Sequence, residues 1–155
     1  MKKISMRILV LLALLAIGGR SLQAHCQVPC GIYDDEARFK LLFEHVTTIE
    51  KAMKEITALS GQSAVNYNQV VRWVMNKEKH AEEFSEILSY YFLAQRLAPK
   101  AVEDGEARSV YLEQLELAHR LIVTAMKAKQ TVDPAHVQTL RELLAKLQNS
   151  YFKKK

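Results

Sequence analysis

DEARFKLLFEHVTTIEKAMKEITAL, residues 35–59, sets Phe39, Leu42, Val46, Ile49, Met53 and Ile56 at steps of three and four. At about 100° per residue these side chains share one narrow stripe, so the segment reads as an amphipathic helix with a face to bury. Ser60-Gly61-Gln62-Ser63 breaks it. The same spacing recurs three times downstream. Val70, Val74, Ala81, Phe84, Leu88 and Tyr91 predict a helix over about Asn68 to Leu97, closed off by Pro99. Tyr111, Leu115, Ala118, Ile122 and Ala125 predict a third, beginning near Gly105. The fourth opens with Asp133 as N-cap and Pro134 at the first helical position, where a missing N–H costs nothing. Its stripe is Val137, Leu140, Leu144, Leu147 and Tyr151. No stretch alternates at period two. Four amphipathic helices with short connections must bury their apolar faces against one another, so the expected fold is all-α, an antiparallel four-helix bundle over residues 35–155.

Residues 1–24 have a different character. They carry Lys2, Lys3, Arg7 and Arg20 without an acid, then an apolar run from Ile8 to Ile17, a Gly18-Gly19 break, and a polar stretch ending Leu22-Gln23-Ala24. This is the three-part layout of a secretory signal peptide. The apolar run is shorter than the roughly 20 residues that span a ~30 Å hydrocarbon core. The expectation is a cleaved leader and an exported protein, periplasmic or secreted, with no stable membrane association afterwards. Ala24 suits the position before the cut, and Gly19-Arg20-Ser21 offers a competing cut after Ser21. Acylation of Cys26 is disfavoured because His25 stands where a small residue is wanted. Taking the leader's four positive charges from the formal +5 of the whole chain leaves +1. The basic balance that would point to nucleic acid therefore leaves with the leader. Lys153-Lys154-Lys155 has the form of a solvated tail.

Both cysteines of the chain lie in His25-Cys26-Gln27-Val28-Pro29-Cys30-Gly31. In an exported protein a cysteine pair reads first as a disulfide. Here that bridge would close a very small loop ahead of the helices and staple nothing to anything. A free N-terminus on His25 changes the chemistry. Its α-amino nitrogen, the Cys26 amide nitrogen and both thiolates could close a square plane, with the imidazole above it. Square-planar nitrogen and sulfur donors suit Ni(II) or Cu(II), whereas structural zinc takes a tetrahedron. Thiolates and a deprotonated amide are strong electron donors, which brings Ni(III), and with it one-electron cycling, within reach. Pro29 restricts the backbone and Gly31 permits a sharp bend, so Cys30 can curl back to the metal that Cys26 holds. A metal-free Cys26–Cys30 disulfide remains an alternative reading of these residues.

His25-Cys26-Gln27-Val28-Pro29-Cys30-Gly31-Ile32-Tyr33-Asp34 resembles the nickel hook of nickel superoxide dismutases, His-Cys-x-x-Pro-Cys-Gly-x-Tyr at the mature N-terminus. Lys77-Glu78-Lys79-His80-Ala81-Glu82 and Asp133-Pro134-Ala135 are similar to the family as well, so the resemblance runs over the whole chain after the leader. It implies a leader at 1–24, a hook at 25–34 and a four-helix bundle at 35–155. It also implies one nickel per subunit, held by His25 through its amine and axial imidazole, by Cys26 through its amide nitrogen and thiolate, and by Cys30 through the second thiolate. Tyr33 falls on the family's active-site tyrosine beside the open face of the metal. The implied reaction converts superoxide to dioxygen and hydrogen peroxide with nickel alternating between Ni(III) and Ni(II), in a homohexamer. In the better-known branch a glutamate early in the first helix and an arginine in the second support the axial histidine. Lys40 and His80 stand at those places here, so the His25 ring is supported differently. The rival reading is an exported helical nickel- or copper-binding or stress-sensing protein without turnover.

Other residues have plainer readings. Glu116-x-x-His119 has the spacing of half a di-iron carboxylate site, but no partner motif accompanies it, so a polar surface pair is expected. His45 and His136 are solitary in sequence and read as surface or helix-terminal residues. Trp73, Tyr90, Tyr91 and Phe92 read as core or subunit interface, and Met53, Met75 and Met126 as packing.

Overall fold

The computed structural model describes residues 28–153. The expected leader, His25 and Cys26 lie outside the described residues, as do Lys154 and Lys155. Helix α1 spans Asp35–Ser60, and the Asp34 side chain starts it by accepting from the Ala37 N–H at 2.9 Å. Gly61 ends it, its N–H reaching back to the Thr57 carbonyl at 3.2 Å. Helix α2 spans Tyr67–Glu86 behind an Asn66 cap on the Gln69 N–H. The helix then widens into a π-helical run over Ile87–Arg96, closed by the Leu97 N–H on the Phe92 carbonyl at 2.8 Å. Helix α3 spans Gly105–Gln130, and α4 spans Pro134–Phe152 behind the Asp133 cap. No strand occurs among the described residues. The all-helical expectation and the places of the four helices hold.

The helices pack in a ring: α1 against α2 and α4, and α3 against α2 and α4. All six residues of the α1 stripe are buried, as are Val137, Leu140, Leu144 and Leu147 of α4. Two stripes differ from expectation. On α2, Val74 is exposed, and burial begins only at Lys77 and Ala81. On α3, Leu115 is exposed, and the core takes Leu117, Ala118, Leu121, Ala125 and Ala128. Residues 115–126 are apolar on so much of the helix circumference that several stripes satisfy the period. Packing against α4 decides among them.

Lys77 is buried at 3% exposure, although its residue type almost never is. Its ammonium donates to the carbonyls of Ala128 at 2.7 Å, of Lys129, and of Thr131 at 2.9 Å. These belong to the last turn of α3 and the residue beyond it, where helix carbonyls lack intrahelical partners and the dipole favours a cation. Burial pushes the Lys77 ammonium below its ordinary value, and nearby Glu78 works in the opposite direction. Lys77→Met keeps the apolar stem and removes the donors, so it should cost about 2 kcal/mol in denaturant unfolding. An unchanged midpoint would show that water replaces the ammonium without loss.

Candidate functional site

Of the four predicted site residues, Cys30 and Tyr33 lie in the described segment ahead of α1. Cys30 is exposed with its thiol free, and the next residue, Gly31, turns the chain at φ +80°, in the left-handed region that favours glycine. An added Cβ on Gly31 would meet nothing within 4 Å, so what glycine supplies there is conformation rather than room. Val28 and Ile32 on either side are each 81% exposed. Val28 and Pro29 line a groove together with Arg38 and His45 of α1, Glu83 of α2, and Tyr90 and Tyr91 of the π-helical run.

Tyr33, 38% exposed, is the first residue of this segment that the helices hold. Its ring meets the Tyr91 ring edge-on at 5.8 Å between centroids, and the Arg96 guanidinium lies over it at 4.4 Å. Its hydroxyl donates to Gln95 Oε1 at 3.4 Å, while Gln95 Nε2 is held by the Tyr90 carbonyl at 2.7 Å. Tyr91, Gln95 and Arg96 all come from the π-helical run, whose wider turn gathers them toward the start of α1.

Beneath Tyr33, Asp35 ties three elements together. Its carboxylate accepts from Arg96 Nε at 2.8 Å and Nη2 at 2.5 Å, from the Tyr91 hydroxyl at 2.7 Å, and from the Tyr151 hydroxyl of α4 at 2.8 Å. Arg96, and then the two hydroxyls, hold the Asp35 carboxyl down at about 2 against the opposing effect of burial. Burial first, and then Asp35, push the Tyr91 phenol up to about 12 and raise Tyr151 in the same way. The chain thus enters α1 on a charged clamp that stays ionised at neutral pH.

His45 departs from the reading as a solitary surface residue. It is buried at 5% exposure, and its Nδ1 lies 2.8 Å from Nδ1 of His80, with Glu83 beside both. His45 flanks the α1 stripe at Val46 and so lies on the seam with α2. Its partner is far away in sequence, and no local spacing announces the pair. The one legible signal was His80-x-x-Glu83, a same-face pair one helical turn apart. Lys40 and His80 line a common groove along α1 with His45, Glu44 and Thr47. Glu116 and His119 are exposed, in keeping with the surface reading. Tyr91 and Phe92 belong to the core, Trp73 is half-buried under the Lys51 ammonium at 5.6 Å, and Tyr90 is exposed.

Among the described residues, Cys30 is the only one of the three predicted ligands in view. An exposed thiol at a turn is a soft donor of the kind that N/S-ligated nickel takes, so this part of the donor set fits the metal. No curated protein and no solved structure matches the chain. The sequence profile of nickel-containing superoxide dismutases matches residues 20–155, nearly the whole chain and all of the hook segment. The chain therefore belongs to the nickel-containing superoxide dismutase family, oxidoreductases whose cofactor is nickel.

Proposed function

We propose that this superoxide dismutase works at a new N-terminus made by cleavage after Ala24, with His25, Cys26 and Cys30 as the ligands of one nickel per subunit. The observation that carries this reading is the family match across the hook, joined to an exposed Cys30 thiol at the Gly31 turn. Bound there, nickel supplies one-electron exchange between Ni(III) and Ni(II), by which superoxide becomes dioxygen and hydrogen peroxide. The chain's own residues do the positioning. Gly31 supplies the turn that follows Cys30, and Arg96, Tyr91 and Gln95 hold Tyr33, which by the resemblance of the hook to the family stands beside the open face of the metal. Asp35 keeps Arg96 in place for that task.

On this reading residues 1–24 are a secretory leader, residues 25–34 the hook, and residues 35–155 an antiparallel four-helix bundle in an exported enzyme. The bundle assembles with copies of itself, as a hexamer by the resemblance of its hook to the family. Tyr67, Val71, Val74 and Met75, exposed on one face of α2, support such a contact, since a contiguous apolar face on a helix calls for a cover. Native mass spectrometry of the exported protein tests the whole reading. The expected species is a hexamer of chains starting at His25, each carrying one nickel. A protein that begins elsewhere, still holds nickel and still consumes superoxide would overturn the hook, because His25 would then have no free amine. Nickel retention without superoxide consumption would favour a binding protein over an enzyme.

A further inference from the structure

His45, His80 and Glu83 form a cluster that contains none of the proposed nickel ligands. His45 Nδ1, His80 Nδ1 and Glu83 Oε2 make a triangle with sides of 2.8, 3.8 and 3.7 Å. The point equidistant from its corners lies about 2.0 Å from each, within the range of zinc–nitrogen and zinc–oxygen bonds. Moving that point about half an ångström out of the plane, as a fourth ligand requires, leaves distances near 2.1 Å. Opening the histidine pair slightly then widens the angle between the two nitrogens toward the tetrahedral value. We propose that His45, His80 and Glu83 bind a second divalent transition-metal ion, zinc in the first instance, which clamps α1 to α2.

Four observations favour a site over an ordinary buried polar contact. The donor set is complete: two imidazole nitrogens and one carboxylate oxygen, the ligands of a three-residue zinc centre with an open fourth position. It is divided between helices, with His45 on α1 and His80 and Glu83 one turn apart on α2, so that one ion joins both. Burial first, and then the neighbouring His80, lower the His45 pKa, which keeps its ring neutral and a lone pair available. Finally, the cluster is reachable, because His45 and His80 line one groove while His45 and Glu83 line a second. Magnesium and calcium do not suit this set, since both call for oxygen ligands throughout.

The hook must be silenced to read this site alone. The full chain carrying Cys26→Ser and Cys30→Ser is expected to retain one Zn2+ per chain after dialysis against micromolar Zn2+. With Co2+ it should give the strong visible absorption of a four-coordinate ion, and Zn2+ should raise its thermal midpoint. Adding Glu83→Gln or His80→Gln should weaken Zn2+ binding at least tenfold and abolish the midpoint rise. Glu83 is on the accessible side of the cluster, so its variant keeps the fold if the buried His45 pair is sensitive. No zinc retained by the hook-deficient protein, or equal retention by the folded Glu83→Gln variant, would overturn the proposal.

Discussion

Cys30→Ser is expected to give a folded, helical protein that retains no nickel and removes superoxide at least ~100-fold more slowly than the parent. The fold has no stake in the side chain. Cys30 is exposed, lies ahead of α1, and belongs to no part of the helical core. Serine keeps the size of the side chain but replaces a soft, ionisable thiol with a hard hydroxyl that stays protonated at neutral pH. Far-ultraviolet circular dichroism should therefore be unchanged, while elemental analysis falls to background nickel. Superoxide consumption, followed directly, should fall with the metal. A variant that keeps its nickel and its activity would remove Cys30 from the ligand set. One that keeps nickel but loses activity would place the thiolate in electron exchange rather than in holding the ion.

The fold was legible because each helix carries its own instructions. Asp133 caps α4 and Pro134 starts it as expected, and the stripes of α1 and α4 lead to the core. Helix α3 was less legible since Leu115, Leu117, Leu121, Ile122 and Val123 leave no single apolar face, and tertiary contact chooses between them. The family was legible for a different reason, the unusual His-Cys-x-x-Pro-Cys-Gly-x-Tyr spacing within a few residues. The partners of Asp35 and His45 were not legible. Asp35 meets Tyr91, Arg96 and Tyr151 across three elements, and His45 meets His80 across two, distances in sequence over which no periodicity reports. The π-helical widening at Ile87–Arg96 leaves no mark on a helical stripe either, yet it is what brings Gln95 and Arg96 to Tyr33.

Asp35→Asn should have the largest effect on stability among single changes near the hook, and its effect should depend on pH in a defined direction. The parent carboxylate accepts four hydrogen bonds, two from a guanidinium that is itself only 29% exposed. The amide keeps the shape but loses the charge, leaving Arg96 without its counter-ion and turning one acceptor into a donor aimed at donors. Removing one partner of a buried pair costs about 3–5 kcal/mol, and the partial exposure of Arg96 places the expected loss near 3 kcal/mol at pH 7. For a domain of this size that lowers the thermal midpoint by roughly 10 °C. The folded pKa of Asp35, about 2, lies below its ordinary value of 3.8, so the ionised form favours the folded state. That contribution, on the order of 2 kcal/mol, is fully present above about pH 4 and is lost as pH falls toward 2. Denaturant unfolding of parent and variant at matched concentration should accordingly differ most near neutrality and converge in acid. Parallel pH profiles would show that Asp35 is not the titrating group of the clamp. A second readout ties the clamp to the site: with Arg96 released, Tyr33 loses the cation over its ring, and superoxide removal should weaken in Asp35→Asn protein that is still folded and nickel-loaded.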